Sequence, residues 1–295
     1  MKRIFFLLAL AVCACSLVNA QAPKREMRAV WTATVWRIDW PSTALSSSGG
    51  TSAQITSQKN EMLSILNSLV DNNMNAICFQ VRSRCDAMYS SAYEPWSSDL
   101  GVARGTNPGY DPLAYVVEEA HKRGIEVHAW LNPYRFESAS NQWSGLPGNY
   151  RSTNPSWVLT YSDGKSILDP GVPAVRTRIA DIVDDIITKY DVDGIIFDDY
   201  FYAYGGTPAT LDQTTQNNYK PSGMSVDDWR RKNVNDMVAD VYNKIQSKKP
   251  YVTFGVSPFG IWTTSSTVAS ARGLTLPSGI TGGNMYAEIY CDPVA

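Results

Sequence analysis

An α/β fold with parallel strands is predicted on three observations. Five apolar, β-branched runs recur along the chain: Arg28–Val35, Ala76–Val81, Ile125–Leu131, Gly194–Tyr200 and Val252–Ser257. Each is followed by a loop and then by apolar residues at helical spacing. The loops that follow the strand ends are long, residues 136–171 above all. Strand–helix alternation implies parallel strands joined by crossovers.

Each helix has its own signals. From Ile55 to Val70, Met62, Leu66 and Leu69 recur on one face. Asp111 and Pro112 open the next helix as N-cap and first residue, and Gly124 closes it. Pro173 opens a third, with Val175, Ile179, Ile182, Val183 and Ile186 on one side. Ser225 and Asp228 resemble a capping box ahead of Trp229, Val234, Met237, Val241 and Ile245. Within the longest loop, Ser162-Asp163-Gly164-Lys165 reads as a hairpin turn.

A (β/α)8 barrel of the TIM type needs about 250 residues, and its active site lies at the C-terminal ends of its strands. This chain spends a similar length on five strands, which cannot close and leave two edges unpaired. The expected fold is therefore a TIM-barrel type α/β domain over residues 21–295, cut short after about five strand–helix units. An open α/β sheet is the alternative.

Composition excludes several functions. With 44% hydrophobic and 18% charged residues, the chain can build a core and is not disordered. A net charge of -2 offers no basic field for nucleic acid. The only histidines, His121 and His128, make a zinc hydrolase unfavoured. No glycine-rich phosphate loop follows a strand, so no cofactor and no metal is expected. The 9 Trp and 16 Tyr offer flat faces that suit sugar rings as well as cores.

Residues 1–20 read as a signal peptide. Lys2 and Arg3 precede the apolar run Phe5 to Val12, and Val18-Asn19-Ala20 forms a small-residue cleavage site. The run is too short to span a bilayer. The residues around Cys13 and Cys15 depart from a lipoprotein pattern, so soluble export to the periplasm or beyond is preferred over a lipid anchor. The mature chain keeps Cys78, Cys85 and Cys291, and a Cys78–Cys85 disulfide is conceivable.

Alternation sorts the strand faces. It turns Cys78, Gln80 and Arg82 inward from the second strand. His128, Trp130 and Asn132 follow from the third, Ile196, Asp198 and Tyr200 from the fourth, and Ser257 from the fifth. Polar groups that converge at strand tops cost stability unless they have work to do. Asp198 is the one carboxylate placed inward at a strand top, with Asp199 beside it as second catalytic candidate. Tyr200, Asn132 and Arg82 are its expected donors, a set that would keep it ionised. Trp96, Trp143 and Trp157, in polar loops, are the expected sugar platforms. A satisfied core role is the reading for His128.

These residues carry a resemblance. Arg28–Ser42 (RAVWTATVWRIDWPS), Asn75–Arg82 (NAICFQVR), Tyr110–Arg135 (YDPLAYVVEEAHKRGIEVHAWLNPYR), Leu168–Arg176 (LDPGVPAVR), Asp193–Tyr202 (DGIIFDDYFY), Trp229–Val234 (WRRKNV) and Phe254–Trp262 (FGVSPFGIW) resemble the glycosyl hydrolase-like 10 family of exported bacterial TIM-barrel proteins. The resemblance implies glycoside hydrolysis, with bacterial cell-wall or another polysaccharide as the glycan partner. Tyr134, Arg135 and Tyr202, inside the matching stretches, complete the substrate-binding candidates. DGIIFDDY is also similar to the chitinase motif DGxDxDxE, but Tyr200 stands in place of its acidic Glu, so chitinase chemistry does not carry over. Most glycosidases need two carboxyl groups, and the second is sought in Asp199, Glu94, Glu137, Asp169 or the missing strands. The rival expectation is a non-catalytic glycan-binding barrel.

Overall fold

The computed structural model describes residues 26–294; the expected signal peptide, with Cys13 and Cys15, lies outside them. The main sheet is parallel and five-stranded. Its strands are β1 (Ala29–Thr32), β2 (Ala76–Arg82), β3 (Glu126–Leu131), β7 (Gly194–Phe197) and β8 (Thr253–Val256), in the order β1-β2-β3-β7-β8. These are the five predicted runs, four of them with trimmed ends and β2 longer by one residue, Arg82. β1 stops early because the next amides turn to side chains rather than to a neighbouring strand: Ala33 N–H donates to Asp39 Oδ2, and those of Thr34 and Val35 to Gln80 Oε1.

The helices lie where their signals put them: α1 (Ser52–Asp71), α2 (Pro112–His121), α4 (Pro173–Lys189) and α6 (Val226–Lys248). Thr51 and Gln54 close a capping box at the start of α1. Met62, Leu66 and Leu69 of α1, and Val234, Met237, Val241 and Ile245 of α6, are buried on the predicted faces. They pack with Ile77, Phe79, Val127, Ala129, Ile195 and Phe197 in one core cluster. A short helix α3 (Tyr150–Thr153) and a helix α5 (Gln213–Tyr219) carry no apolar stripe, and periodicity does not reveal them.

Three expectations are corrected. The stretch 136–171 is not loop alone. β4 (Arg135–Glu137), β5 (Val158–Thr160) and β6 (Ser166–Leu168) form a small antiparallel sheet in the order β4-β6-β5, and the predicted turn joins β5 to β6. Cys78 and Cys85 do not pair. Both are free and buried, Cys78 within β2 and Cys85 beyond its end. Arg82 escapes simple alternation, because the β2–β3 register shifts between Gln80 and Arg82.

Register brings residues of like parity into line across the sheet. Trp31, Cys78, His128, Gly194 and Thr253 lie across from one another, as do Gln80, Trp130, Ile196 and Gly255. The inward layer is packed around a missing side chain. A Cβ at Gly194 would stand 2.1 Å from His128 Nδ1 and 2.5 Å from Thr253 Oγ1. Asp193, just before it, accepts the Val127 amide at 2.7 Å and contacts His121 Nε2 at 2.9 Å, clamping the base of β7 to β3.

Gly194→Ala should therefore destabilise the fold by about 1–3 kcal/mol through overpacking, and His128→Ala in the same chain should recover part of that loss. Urea unfolding of the two variants reads both. Full stability in Gly194→Ala alone would show that the layer yields freely.

Candidate active site at the strand tops

Pairing places the key side chains. Leu131 of β3 sits opposite Phe197 of β7, so the next residues, Asn132 and Asp198, emerge side by side above the sheet. The Asn132 amide NH2 donates to Asp198 Oδ2. Asp198 Oδ1 accepts the Tyr200 backbone N–H at 3.2 Å. Behind Asn132, Gln80 Nε2 donates to Asn132 Oδ1 at 2.7 Å, and Gln80 Oε1 accepts the Thr34 and Val35 amides, each at 2.9 Å.

Burial dominates the electrostatics of Asp198. Desolvation pushes its carboxyl up to about 6, against the Tyr200 N–H and the Arg135 guanidinium, which favour the anion. Asp199 adds a raising charge, and the Trp130 indole N–H lowers without closing to a direct hydrogen bond. The expected donor set therefore does not hold Asp198 at an ordinary carboxylate value. Arg82 is not among its partners. Asp199 is also raised by burial, while the Tyr204 hydroxyl donates to it at 2.9 Å.

An aromatic rim surrounds this carboxylate. The Arg135 guanidinium lies 4.5 Å from the Tyr200 ring centre and 5.8 Å from that of Trp36. Tyr200 meets Tyr204 edge-on at 4.8 Å, and Tyr204 meets Phe259 at 5.7 Å. Trp36, Tyr204 and Phe259 are 55%, 44% and 44% exposed, so apolar faces are presented to solvent at considerable cost. None of the three was singled out as a sugar platform from the sequence. Their common signal is position: Trp36, Tyr204 and Phe259 each lie within a few residues of the end of a strand run.

Other expected site residues lie elsewhere. Arg82, shifted by the bulge, is buried against Glu94 and the Asn132 and Pro133 carbonyls. Trp143 is buried, its indole N–H on the Phe136 carbonyl at 3.0 Å and the Arg104 guanidinium 4.2 Å from its ring centre. Trp157 stacks on Tyr150 at 5.7 Å. Trp96 lines a separate shallow pocket with Tyr110 and Asp111. Tyr134 and Tyr202 are fully buried in the core. Ser257, half-buried, follows β8, with its amide on the Phe197 carbonyl at 2.9 Å. Gln80, Asn132, Arg135, Asp198, Asp199, Tyr200 and Ser257 are thus gathered at the tops of the strands.

The loop acids are committed too. Glu94 pairs with Arg82 at 2.7 Å. Glu137 pairs with Arg151 at 2.6 Å and accepts Ser166 Oγ at 3.0 Å. Asp169 accepts the Gly171 amide at 2.8 Å and bonds Thr215. Among the described residues, no group of three or more His, Cys, Asp or Glu side chains is disposed to hold a metal ion, and no helix is long and apolar enough to cross a membrane.

Comparison with known proteins gives a consistent result. The family model described as glycosyl hydrolase-like 10 matches residues 26–292. The glycosyl hydrolase YngK of Bacillus subtilis is 37% identical over 279 residues, which cover 94% of this chain and 52% of YngK. The glycosyl hydrolase DigH of Escherichia coli K12 is 36% identical over 283 residues, covering 93% of this chain and 63% of DigH. The chain thus spans between half and two thirds of the length of these relatives. Among solved structures, α-L-fucosidase isoenzyme 2 from Paenibacillus thiaminolyticus matches with a TM-score of 0.50 at 17% identity, over 78% of this chain and 32% of that one. The likeness is one of fold, and the fold of this chain is α/β of the TIM-barrel type.

Two stability measurements follow from the geometry. Folding raises the Asp198 carboxyl above its unfolded value of 3.8, so the folded state takes up the proton more readily, and stability is lost as pH rises from about 4 through about 6. Asp198→Asn lacks that loss. Its melting temperature relative to wild type should rise by about 5–10 °C between pH 4 and pH 7.5, the equivalent of about 2 kcal/mol, and a pH-independent difference would contradict the raised value. Glu94→Gln leaves Arg82 charged and uncompensated in the core and should cost about 3–5 kcal/mol in chemical denaturation. A small cost would return Glu94 to the list of catalytic acids.

Proposed function

The chain belongs to the glycosyl hydrolase-like 10 family, and from that premise we propose that it is an exported enzyme hydrolysing glycosidic bonds in a bacterial cell-wall or other polysaccharide. One observation carries the reading: a desolvated carboxylate, Asp198, stands at the C-terminal end of a barrel-type strand inside a rim of exposed aromatic faces. Trp36, Tyr204 and Phe259 would hold sugar rings by their flat faces. Both Asp198 oxygens accept hydrogen bonds from fixed donors, which suits an anion set against the developing positive charge of the anomeric carbon. Partial desolvation strengthens that attraction.

Asp199 is the other carboxyl at this strand end. Raised by burial and bonded to Tyr204, it is the candidate partner for proton transfer. The alternative, a glycan-binding barrel without catalysis, draws support from the commitment of Glu94, Glu137 and Asp169 to buried bonds. No loop acid among these three is free to face Asp198.

Turnover of a polysaccharide by Asp198→Asn should fall at least ~10²-fold, the low end for a group acting in the chemical step, with glycan affinity retained. The anionic role gives the sign of the pH profile: kcat/KM should decline as pH falls through about 6. A profile that declines in the opposite direction would make Asp198 the acid, and wild-type binding without cleavage would favour the alternative. Trp36→Ala and Tyr204→Ala should each weaken glycan binding about tenfold, or 1.4 kcal/mol, in calorimetric titration. N-terminal sequencing of exported protein should begin at Gln21; a retained Met1 or a lipid-modified cysteine would overturn the export proposal.

A further inference from the structure

Gln80 is 1% exposed and offers no atom to a ligand. Its oxygen accepts two backbone amides, Thr34 and Val35, at 2.9 Å each. An amide N–H can only donate, so the end of Gln80 facing β1 must be its oxygen. The other end is then an NH2, and the Asn132 atom 2.7 Å away must be that residue's oxygen. With Asn132 oriented so, its own NH2 is left to face Asp198. The direction of every bond is set by the two amides at the far end.

We infer that Gln80 is a positioning residue for Asp198: it dictates which end of the Asn132 amide the carboxylate meets. Left alone, Asn132 could present its NH2 to an ionised Asp198 or its oxygen to a protonated one. Held by Gln80, it presents only the donor, so the protonated form loses a partner and the anion keeps one. The same two bonds fasten the turn beneath Trp36, where Trp36 and Arg37 take φ values of 53° and 57°, and Thr34 Oγ1 returns a bond to the Gln80 carbonyl at 2.9 Å. Residue 80 thus orders both the carboxylate and one of the exposed rings beside it. The catalytic meaning of this relay rests on the function proposed above, whereas the bond direction does not, and the test is chosen to run without substrate.

The charged and titratable groups acting on Asp198 are Arg135 from β4, and Asp199, Tyr200 and Tyr204 from its own loop. All stay in place when residue 80 is changed. In Gln80→Glu the side chain keeps its shape and still accepts from Thr34 and Val35, and those two amides hold it ionised. It has no N–H to give. Asn132 must then turn its NH2 toward residue 80 and its oxygen toward Asp198. The titration midpoint of the Asp198 carboxyl, followed by carbon-13 NMR in the full chain and assigned by its absence in Asp198→Asn, should rise by about one pH unit. The new charge also acts through space, so the comparison is repeated with Asn132→Ala in both chains, where the rise should fall to less than half. If Gln80→Glu does not fold, Gln80→Met replaces it; Asn132 is then free to turn, and a smaller rise is expected. An unchanged midpoint in the variant that folds, or an equal rise with alanine at residue 132, overturns the inference. Absence of glycan cleavage by the wild-type chain would instead count against the proposed function and leave the relay standing.

Discussion

Arg82 and Glu94 place a cation and an anion where water barely reaches, both side chains 1% exposed, with two bonds of 2.7 Å between them. Removing both charges from water is expensive, and attraction compensates only when every remaining donor is also matched. Here they are. The guanidinium also bonds the Asn132 and Pro133 carbonyls and Cys85 Sγ, and the Tyr150 hydroxyl reaches Glu94 at 3.3 Å. The pair therefore joins the end of β2, the loop behind it, the end of β3 and the helix α3 into one unit. Asn132 inherits its backbone position from this unit, and Asp198 its neighbour.

Two further buried ion pairs lie beside it, though Arg84 keeps one guanidinium N–H, at Nε, without a partner. Arg84 pairs with Asp99 at 2.8 Å and Arg104 with Asp86 at 3.2 Å, all four side chains buried. Trp143 fits between the two guanidinium groups, 5.2 Å from Arg84 and 4.2 Å from Arg104. A tryptophan in a polar sequence context is thus a core residue of a charged core, satisfied by cation–π contact and one indole hydrogen bond. The loop that follows β2 is a rigid scaffold rather than a flexible cover.

Period-two and period-3.6 patterns made the sheet, its inward faces and four of the helices legible, because each depends on local alternation of apolar residues. The same logic reached Gln80, Asn132 and Asp198, which lie on regular strands or one step beyond. It missed Arg82 because a bulge changes the parity, and bulges leave no mark in hydrophobic pattern. It misread Trp143, which is buried beside a small sheet that apolar periodicity does not reveal. It passed over Trp36 because a turn with positive φ at two consecutive non-glycine residues is invisible to composition. The sign of the Asp198 shift was missed for another reason: donors can be counted along a sequence, whereas desolvation depends on how the loops close over the group.

The three buried thiols have a consequence of their own. Burial pushes Cys78 up to about 11 and Cys85 and Cys291 up to about 12, so the reactive thiolate is scarce while the chain is folded. Each thiol becomes nucleophilic only when its own surroundings open. Cys78 sits inside the sheet, Cys85 in the loop beyond the end of β2, and Cys291 near the far end of the described chain. Their alkylation rates in an otherwise native solution would separate local opening of three regions from global unfolding. The molecule thus carries, without any label, its own clocks for how often each part breathes.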